Sequence, residues 1–248
     1  MVTRYKNLVL VGTSHIARHS IKDITEAVEA EKPKVIAVEL DRRRLHALLS
    51  DEKPKMTFSM VRKVGLKGFL FAMLGSWVQR KLGKIVGVEP GADMLTAVRL
   101  AQKGGIRLAL IDQDIEITLR KFSQALSWRE RFRFFGDLLR ATFFQRREMR
   151  RLGLDKLDLT RVPPKYLVQR LTKELHDRYP NIYRVLIEER NQVMAERLHQ
   201  VMGGIEGDVL AVVGAGHEDD LLGRIRALEE DVTYEFNIGQ RREGPESK

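Results

Sequence analysis

The feature that most constrains this chain is an echo between its two ends. Leu8-Val9-Leu10-Val11-Gly12-Thr13-Ser14-His15 is matched by Leu210-Ala211-Val212-Val213-Gly214-Ala215-Gly216-His217. Each run of four apolar, partly β-branched residues reads as a buried strand. A glycine then turns the chain, and a histidine precedes a helical pattern, 20–32 in one case and 218–230 in the other. Both histidines are thereby placed at the carboxyl ends of strands. Ligands gather at those ends in an open parallel sheet, so two residues far apart in the chain can meet at one site. Neutral imidazole is the commonest metal ligand. The alternative for each histidine is a hydrogen-bonded core or surface residue.

Other strand-like runs lie at 35–38, 85–88, 106–111 and 232–236, and the first and last runs of the echo extend over 7–11 and 209–213. Helical patterns separate most of them. One follows a Ser20 cap, Asp41 caps 42–49, and 93–102 stops at Gly104-Gly105. Such alternation predicts an α/β fold with a mostly parallel central sheet flanked by helices. Between 115 and 206 no strand is expected. This stretch reads as a helical insertion or cap, broken at Pro163-Pro164 and at Pro180, ahead of a long helix over 181–202. Residues 1–248 form a single domain, with no interdomain linker and a polar tail over 239–248.

Glu39 ends the run 35–38, the same strand-to-helix position that both histidines hold. His15, Glu39 and His217 together form a metal-ligand set of two imidazoles and a carboxylate, which leaves coordination positions for water and substrate. Glu39 has a simpler role open to it, capping a helix or pairing with Arg42 or Arg43. Asp112 and Asp114 stand at a further strand exit, where a carboxylate can bind metal, orient a histidine or act as a base. Asp93 reads chiefly as a helix N-terminal acid.

Projected at 100° per residue, the helix over 181–202 has an apolar stripe of Tyr183, Leu186, Ile187, Met194, Leu198 and Val201, with Arg190 in its middle. A guanidinium on a core-facing surface requires a carboxylate, a carbonyl cluster or a bound anion. Arg190 is therefore either a clamp for a substrate carboxylate or oxyanion, or half of an ion pair with an interior acid such as Glu39 or Asp112. Asn191 and Glu189 fall on the flanks of the stripe.

Composition narrows the chemistry. The absence of cysteine excludes disulfides, thiolate metal sites and cysteine nucleophiles. Ser14 lacks a G-x-S-x-G setting, and the short glycine turns form neither a Walker loop nor a dinucleotide fingerprint. The formal charge of +10 is uneven. Segment 53–84 holds eight Lys or Arg and no acid, and 120–151 holds ten against three acids, so the rest of the chain is net acidic. The first basic segment carries Phe58, Phe69, Phe71 and Trp77, and the second Phe122, Trp128, Phe132, Phe134, Phe135, Phe143 and Phe144. Interleaved cations and apolar groups on helices suit an anionic membrane surface. The aromatic residues can equally pack the insertion onto the core or onto a second subunit in a homo-oligomer. Nucleic acid is disfavoured, because no base-reading module is visible. The window 64–78 is interrupted by Lys67 and too short to span a bilayer, and residues 1–6 show no secretory pattern, so the cytoplasm is the expected compartment.

Taken in order, Gly12-Thr13-Ser14-His15, Val38-Glu39-Leu40-Asp41, Pro90-Gly91-Ala92-Asp93-Met94, Ile111-Asp112-Gln113-Asp114-Ile115, Glu189-Arg190-Asn191 and Val213-Gly214-Ala215-Gly216-His217 resemble the TraB/PrgY pheromone-shutdown family. The resemblance runs along nearly the whole chain. It implies kinship with the Tiki proteases and with erythromycin-esterase-like and ChaN-like folds, and a divalent metal (Mn, Co or Zn) at paired Gly-x-x-His motifs. By position it assigns His15, Glu39 and His217 to the metal, and Arg190 and Asn191 to the pocket. The activity expected is that of a metallopeptidase-like hydrolase of a peptide or a small amide or ester, with Asp112 assisting. The alternative is a non-catalytic protein that binds a peptide signal or associates with a membrane. Relatives often continue into a membrane-spanning region, and this chain is expected to be a soluble form or the soluble part of something longer.

Overall fold

In a computed structural model of the chain, the residues described are 2–13, 18–50, 61–66, 69–70, 72–73, 91–125, 127–130, 132–133, 136–137 and 165–241. The expected strand at 85–88, the break at Pro163-Pro164 and His15 lie outside them.

Five strands form one mixed sheet: β1 (Val2–Tyr5), β2 (Leu8–Thr13), β3 (Val35–Val38), β4 (Arg107–Leu110) and β5 (Val209–Gly214), in the spatial order β1-β2-β5-β3-β4. The three inner pairings β2–β5, β5–β3 and β3–β4 run parallel, as the alternation with helices predicts, and β1 is an antiparallel edge joined to β2 by a tight turn at Lys6 and Asn7. Lys6 carries the positive φ of 50° that this turn requires. The position of β5 is decisive for the site. It lies between β2 and β3, with Thr13 in register with Gly214 and Val38 with Val212, so the strand ends carrying both glycine motifs and Glu39 are neighbours.

Helices α1 (Arg18–Glu31) and α3 (Ala92–Gly104) cover one face, where Ile24, Ala27, Met94, Ala97 and Val98 pack on Val11, Ile36, Val38, Leu210 and Val212. The other face carries Leu8, Leu10, Ala37, Ala211 and Val213 beneath Met194, Ala195 and Leu198 of α7 (Glu189–Gly203) and Leu221 and Ile225 of α8 (Glu218–Arg241). The period-two alternation of the strands thus fills both sides of a three-layer α/β/α core. Between the layers' elements lie α2 (Arg42–Leu49), α4 (Ile115–Ala125), α5 (Lys165–Arg178) and α6 (Pro180–Tyr183). Asp41 caps α2 as expected, accepting the N–H groups of Arg43 at 2.7 Å and Arg44 at 3.0 Å. Gly105, at φ 62°, ends α3.

Four expectations are corrected. Residues 232–236, read as a strand for their β-branched and aromatic content, lie inside α8. No proline separates them from the helix start, and a propagating helix overrides local strand preference. Residues 239–241, read as the start of a polar tail, also lie inside α8. Ser20 sits within α1, buried, and is not its cap. The long helix over 181–202 is interrupted by a π-turn at Arg184–Glu188, and its last part, α7, belongs to the layer on the sheet and not to a cap.

Candidate functional site

The π-turn changes which side chains of this helix face inward. An extra residue in the turn shifts the phase of everything after it relative to a uniform 100° projection. Upstream, Ile182 and Val185 are buried against Phe122. Downstream, the buried stripe is Asn191, Met194, Ala195, Leu198 and Met202. Asn191 is therefore not on a flank but fully buried, and Arg190 stands beside it at the carboxyl edge of the sheet.

Glu39, only 2% exposed, follows β3 directly. Its Oε2 accepts the backbone N–H of Gly214 at 2.7 Å, which ties the acid to the end of β5. Its Oε1 accepts from Arg190 Nη2. Asp112, after β4, receives Arg190 in a bidentate contact, Nε to Oδ1 at 2.9 Å and Nη2 to Oδ2 at 2.8 Å. Arg44 Nη1 reaches the same Oδ2 at 2.7 Å, and Arg197 Nη1 donates to the Asp112 carbonyl. The ion pair weighed for Arg190 is thus present with both candidate acids. Burial alone would favour loss of its proton, and the carboxylates of Glu39 and Asp112 overturn that effect and raise its pKa above the ordinary arginine value. Nη1 donates once, to the Leu186 carbonyl at 3.3 Å. Since a guanidinium has five N–H groups, one Nη1 hydrogen remains beyond these four contacts.

On the other side of Glu39 stands His217. Its Nε2 is 3.5 Å from Glu39 Oε1, and its Nδ1 is 2.5 Å from Asn191 Oδ1. The orientation of that amide follows from a residue not singled out by sequence. Asn191 Nδ2 donates to Asp220 Oδ2 at 2.6 Å, and Arg224 Nε holds the same oxygen at 2.8 Å. A carboxylate only accepts, so the amide nitrogen faces Asp220 and the amide oxygen faces the ring. Nδ1 is then the donor to that oxygen, and Nε2 is directed at the Glu39 side. The signal for Asp220 was its spacing, three residues after His217 in the first turn of α8, where neighbours share a helix face. Arg44 was equally legible as the third residue beyond the Asp41 cap.

Two ligand atoms that are each about 2.0–2.2 Å from a tetrahedral cation stand about 3.4 Å apart, close to the His217–Glu39 separation. The donor set fits a divalent ion on that count. Among the described residues no three His, Asp or Glu side chains are grouped to hold a metal, and the third expected ligand, His15, lies outside them. Thr13, the last described residue before it, pairs with Gly214 and donates its hydroxyl to Asp93 Oδ2 at 2.6 Å, on the opposite face. Asp93 is in the first turn of α3, where its helix-terminal role was expected. Asp112 meets Arg190 and not a described histidine. Beyond His217, Glu218 is buried over β2: Thr3 Oγ1 donates to its Oε1 at 2.5 Å, and Oε2 lies 2.5 Å from where a Cβ on Gly12 would stand.

Comparison with known proteins shows the family to which the chain belongs. The model of the TraB/PrgY/gumN family matches residues 2–229. A protein of Methanocaldococcus jannaschii is 34% identical over 226 residues, which cover 90% of this chain and 54% of that protein. A human TraB domain-containing protein is 24% identical over 254 residues, covering 92% of this chain and 63% of its own length. The chain thus spans between half and two thirds of these relatives. Among the described residues no helix is long and apolar enough to cross a membrane.

Proposed function

The chain belongs to the TraB/PrgY/gumN family, and from that premise and the geometry at Glu39 we propose that it is a metal-dependent hydrolase acting on a peptide or a small amide or ester. The observation that carries the reading is the 3.5 Å approach of His217 Nε2 to Glu39 Oε1, with the ring oriented by a buried amide. His15, Glu39 and His217 would hold the ion. A divalent cation bound there supplies Lewis acidity and a water acidified towards neutral pH. Asn191 holds the His217 ring in the tautomer that offers Nε2. Glu39 is fixed by the Gly214 N–H on one oxygen, and its second oxygen, which accepts from Arg190 Nη2, would have to share its remaining lone pair with the ion. Arg190 keeps Glu39 and Asp112 charged, and its remaining Nη1 hydrogen is available to an oxygen that gains negative charge during acyl transfer. Asp112 and Arg44 set the plane of that guanidinium.

One contact favours a second reading, a non-catalytic protein that binds a peptide signal or acts at a membrane, as in pheromone shutdown. Arg190 Nη2 already occupies Glu39 Oε1, so the acid is neutralised by the protein itself. Elemental analysis of tag-free protein, with peptide-library hydrolysis in added Mn, Co or Zn, separates the two. The hydrolase reading expects a near-stoichiometric ion and metal-dependent turnover, both lost in His15→Ala and His217→Ala. Metal-independent peptide binding without turnover supports the second reading and overturns the first.

A further inference from the structure

Two helical pieces beside α4 display large apolar side chains to solvent. In the segment 61–73, Val64 and Phe69 are buried with Leu119 of α4, and Arg120 Nε donates to the Lys63 carbonyl at 3.3 Å. That contact uses one side of the helix. On another side Leu66, Leu70 and Met73 recur at spacings of four and three, between 46% and 60% exposed, below exposed Arg62 and Lys63. One apolar stripe suffices for a surface helix to pack on its own fold. This helix has two.

The second piece begins just after α4 and is anchored with care. Ser127 and Glu130 form a capping box: the Ser127 N–H and hydroxyl both reach Glu130 Oε2, at 3.0 and 2.9 Å, and Ser127 Oγ accepts the Glu130 N–H at 3.2 Å. Buried Glu130 also accepts the backbone and side-chain N–H of Asn181, both at 2.9 Å, which pins this turn to the start of α6. Arg133 Nη1 donates to the Arg178 carbonyl at 2.7 Å. What these bonds hold in place is a Trp128–Phe132 pair, rings 6.4 Å apart, 70% and 75% exposed, with exposed Arg129 between them in sequence.

We propose that these two faces dock the protein onto an anionic phospholipid surface, independently of whether the site at Glu39 is hydrolytic. The argument for lipid is charge and shape. The segments to which the faces belong, 53–84 and 120–151, have net charges of +8 and +7. A second copy of the chain would set these like charges against each other, which disfavours a self-interface. Leu66, Leu70 and Met73 offer no ring on which a nucleic-acid base could stack. A tryptophan, a phenylalanine and aliphatic side chains rimmed by Arg and Lys match the boundary between headgroups and acyl chains.

The test uses the full chain carrying Trp77→Phe, so that Trp128 is the sole fluorophore, with mixed phosphatidylcholine–phosphatidylglycerol vesicles and pure phosphatidylcholine vesicles. Co-sedimentation and a blue shift of Trp128 emission are expected with the anionic vesicles only, weakening at high salt. Leu66→Ser with Leu70→Ser, and separately Phe132→Ser, should each weaken partitioning about tenfold while circular dichroism and thermal unfolding stay close to the parent. Absence of sedimentation with anionic vesicles overturns the proposal. So do equal binding to neutral vesicles, substitutions without effect, or a concentration-dependent dimer that the same substitutions abolish without any vesicle binding.

Discussion

Glu39 and Glu218 are buried carboxylates at the same edge of one sheet, and their surroundings differ sharply. Glu39 is held by an arginine that also grips Asp112, by a backbone N–H and by proximity to His217. Glu218 has the Thr3 hydroxyl on one oxygen, while the other has no hydrogen-bond partner among the described residues and rests against Gly12. The first is a compensated charge in a network; the second is placed by close backbone approach, at the amino end of α8 where a helix favours an acid. Glu130 shows a third solution, in which neutral donors from Ser127 and Asn181 replace a cation. Burying an acid thus takes different devices within one small domain, and only the arginine-based one is aimed at a histidine.

The contrast can be broken most severely at Arg190. Arg190→Met removes the arginine from Glu39 and one of two arginines from Asp112 and should cost about 3–5 kcal/mol in urea unfolding; a loss under about 1 kcal/mol would mean that Glu39 and Asp112 find other partners. Gly12→Ala places a Cβ on Glu218 Oε2 and should cost about 1–3 kcal/mol. Adding Glu218→Ala should recover part of that loss, and a double-mutant cycle without coupling would show that the glycine is needed for another reason. Asn191→Ala leaves His217 and Asp220 without their shared amide. If the proposed ion is bound, it is expected to weaken that binding about 10–100-fold by competition titration, a readout independent of turnover. Thr3→Val removes the hydroxyl on Glu218 and should cost about 1 kcal/mol.

The smallest effect concerns pH. Burial alone would raise the Glu130 carboxyl, but hydrogen bonds from Asn181 and Ser127 outweigh it and hold the pKa below the usual 4.5. A pKa depressed in the folded state means that this contribution to stability is present above about pH 4.5 and is lost as pH falls through the folded value. Glu229 is depressed likewise, against burial, by bonds from Lys6 and Tyr5. Unfolding free energy should therefore decline on acidification below about pH 4.5, and Glu130→Gln should flatten that decline.

The residues of the site were more legible than the contacts between them. Three of the four parallel strands are continuous apolar runs, and a strand end followed by Gly or Glu marks a sheet edge from sequence alone, which is why Glu39 and His217 were visible. Asp112 and Arg190 were visible too, one as a polar residue after a strand and the other as a charge among apolar neighbours. Asn191 was misplaced because helical projection assumes uniform phase, and 184–188 contains neither Gly nor Pro to announce a π-turn. Asp220 was hidden for a different reason: its role depends on α7 and α8 lying side by side, a long-range fact. The strand β1 is only four residues long and exposed at alternate positions, with no matching polar–apolar alternation, so its pairing with β2 had little local signal.

The π-turn also sets limits on how this protein can vary. Upstream of it, Ile182 and Val185 are keyed to Phe122; downstream, Met194 and Leu198 are keyed to the sheet. Removing one residue between 184 and 188 would let the wide turn close into ordinary α-helix with both sets kept in phase, whereas inserting one more would rotate one set against the other by about 100° and swing Arg190 away from both of its acids. Natural variation should therefore tolerate a plain helical turn one residue shorter but not one a residue longer, and an engineer wishing to unhook the arginine from the carboxylates without altering any side chain in the site could do so by inserting a single residue in this turn.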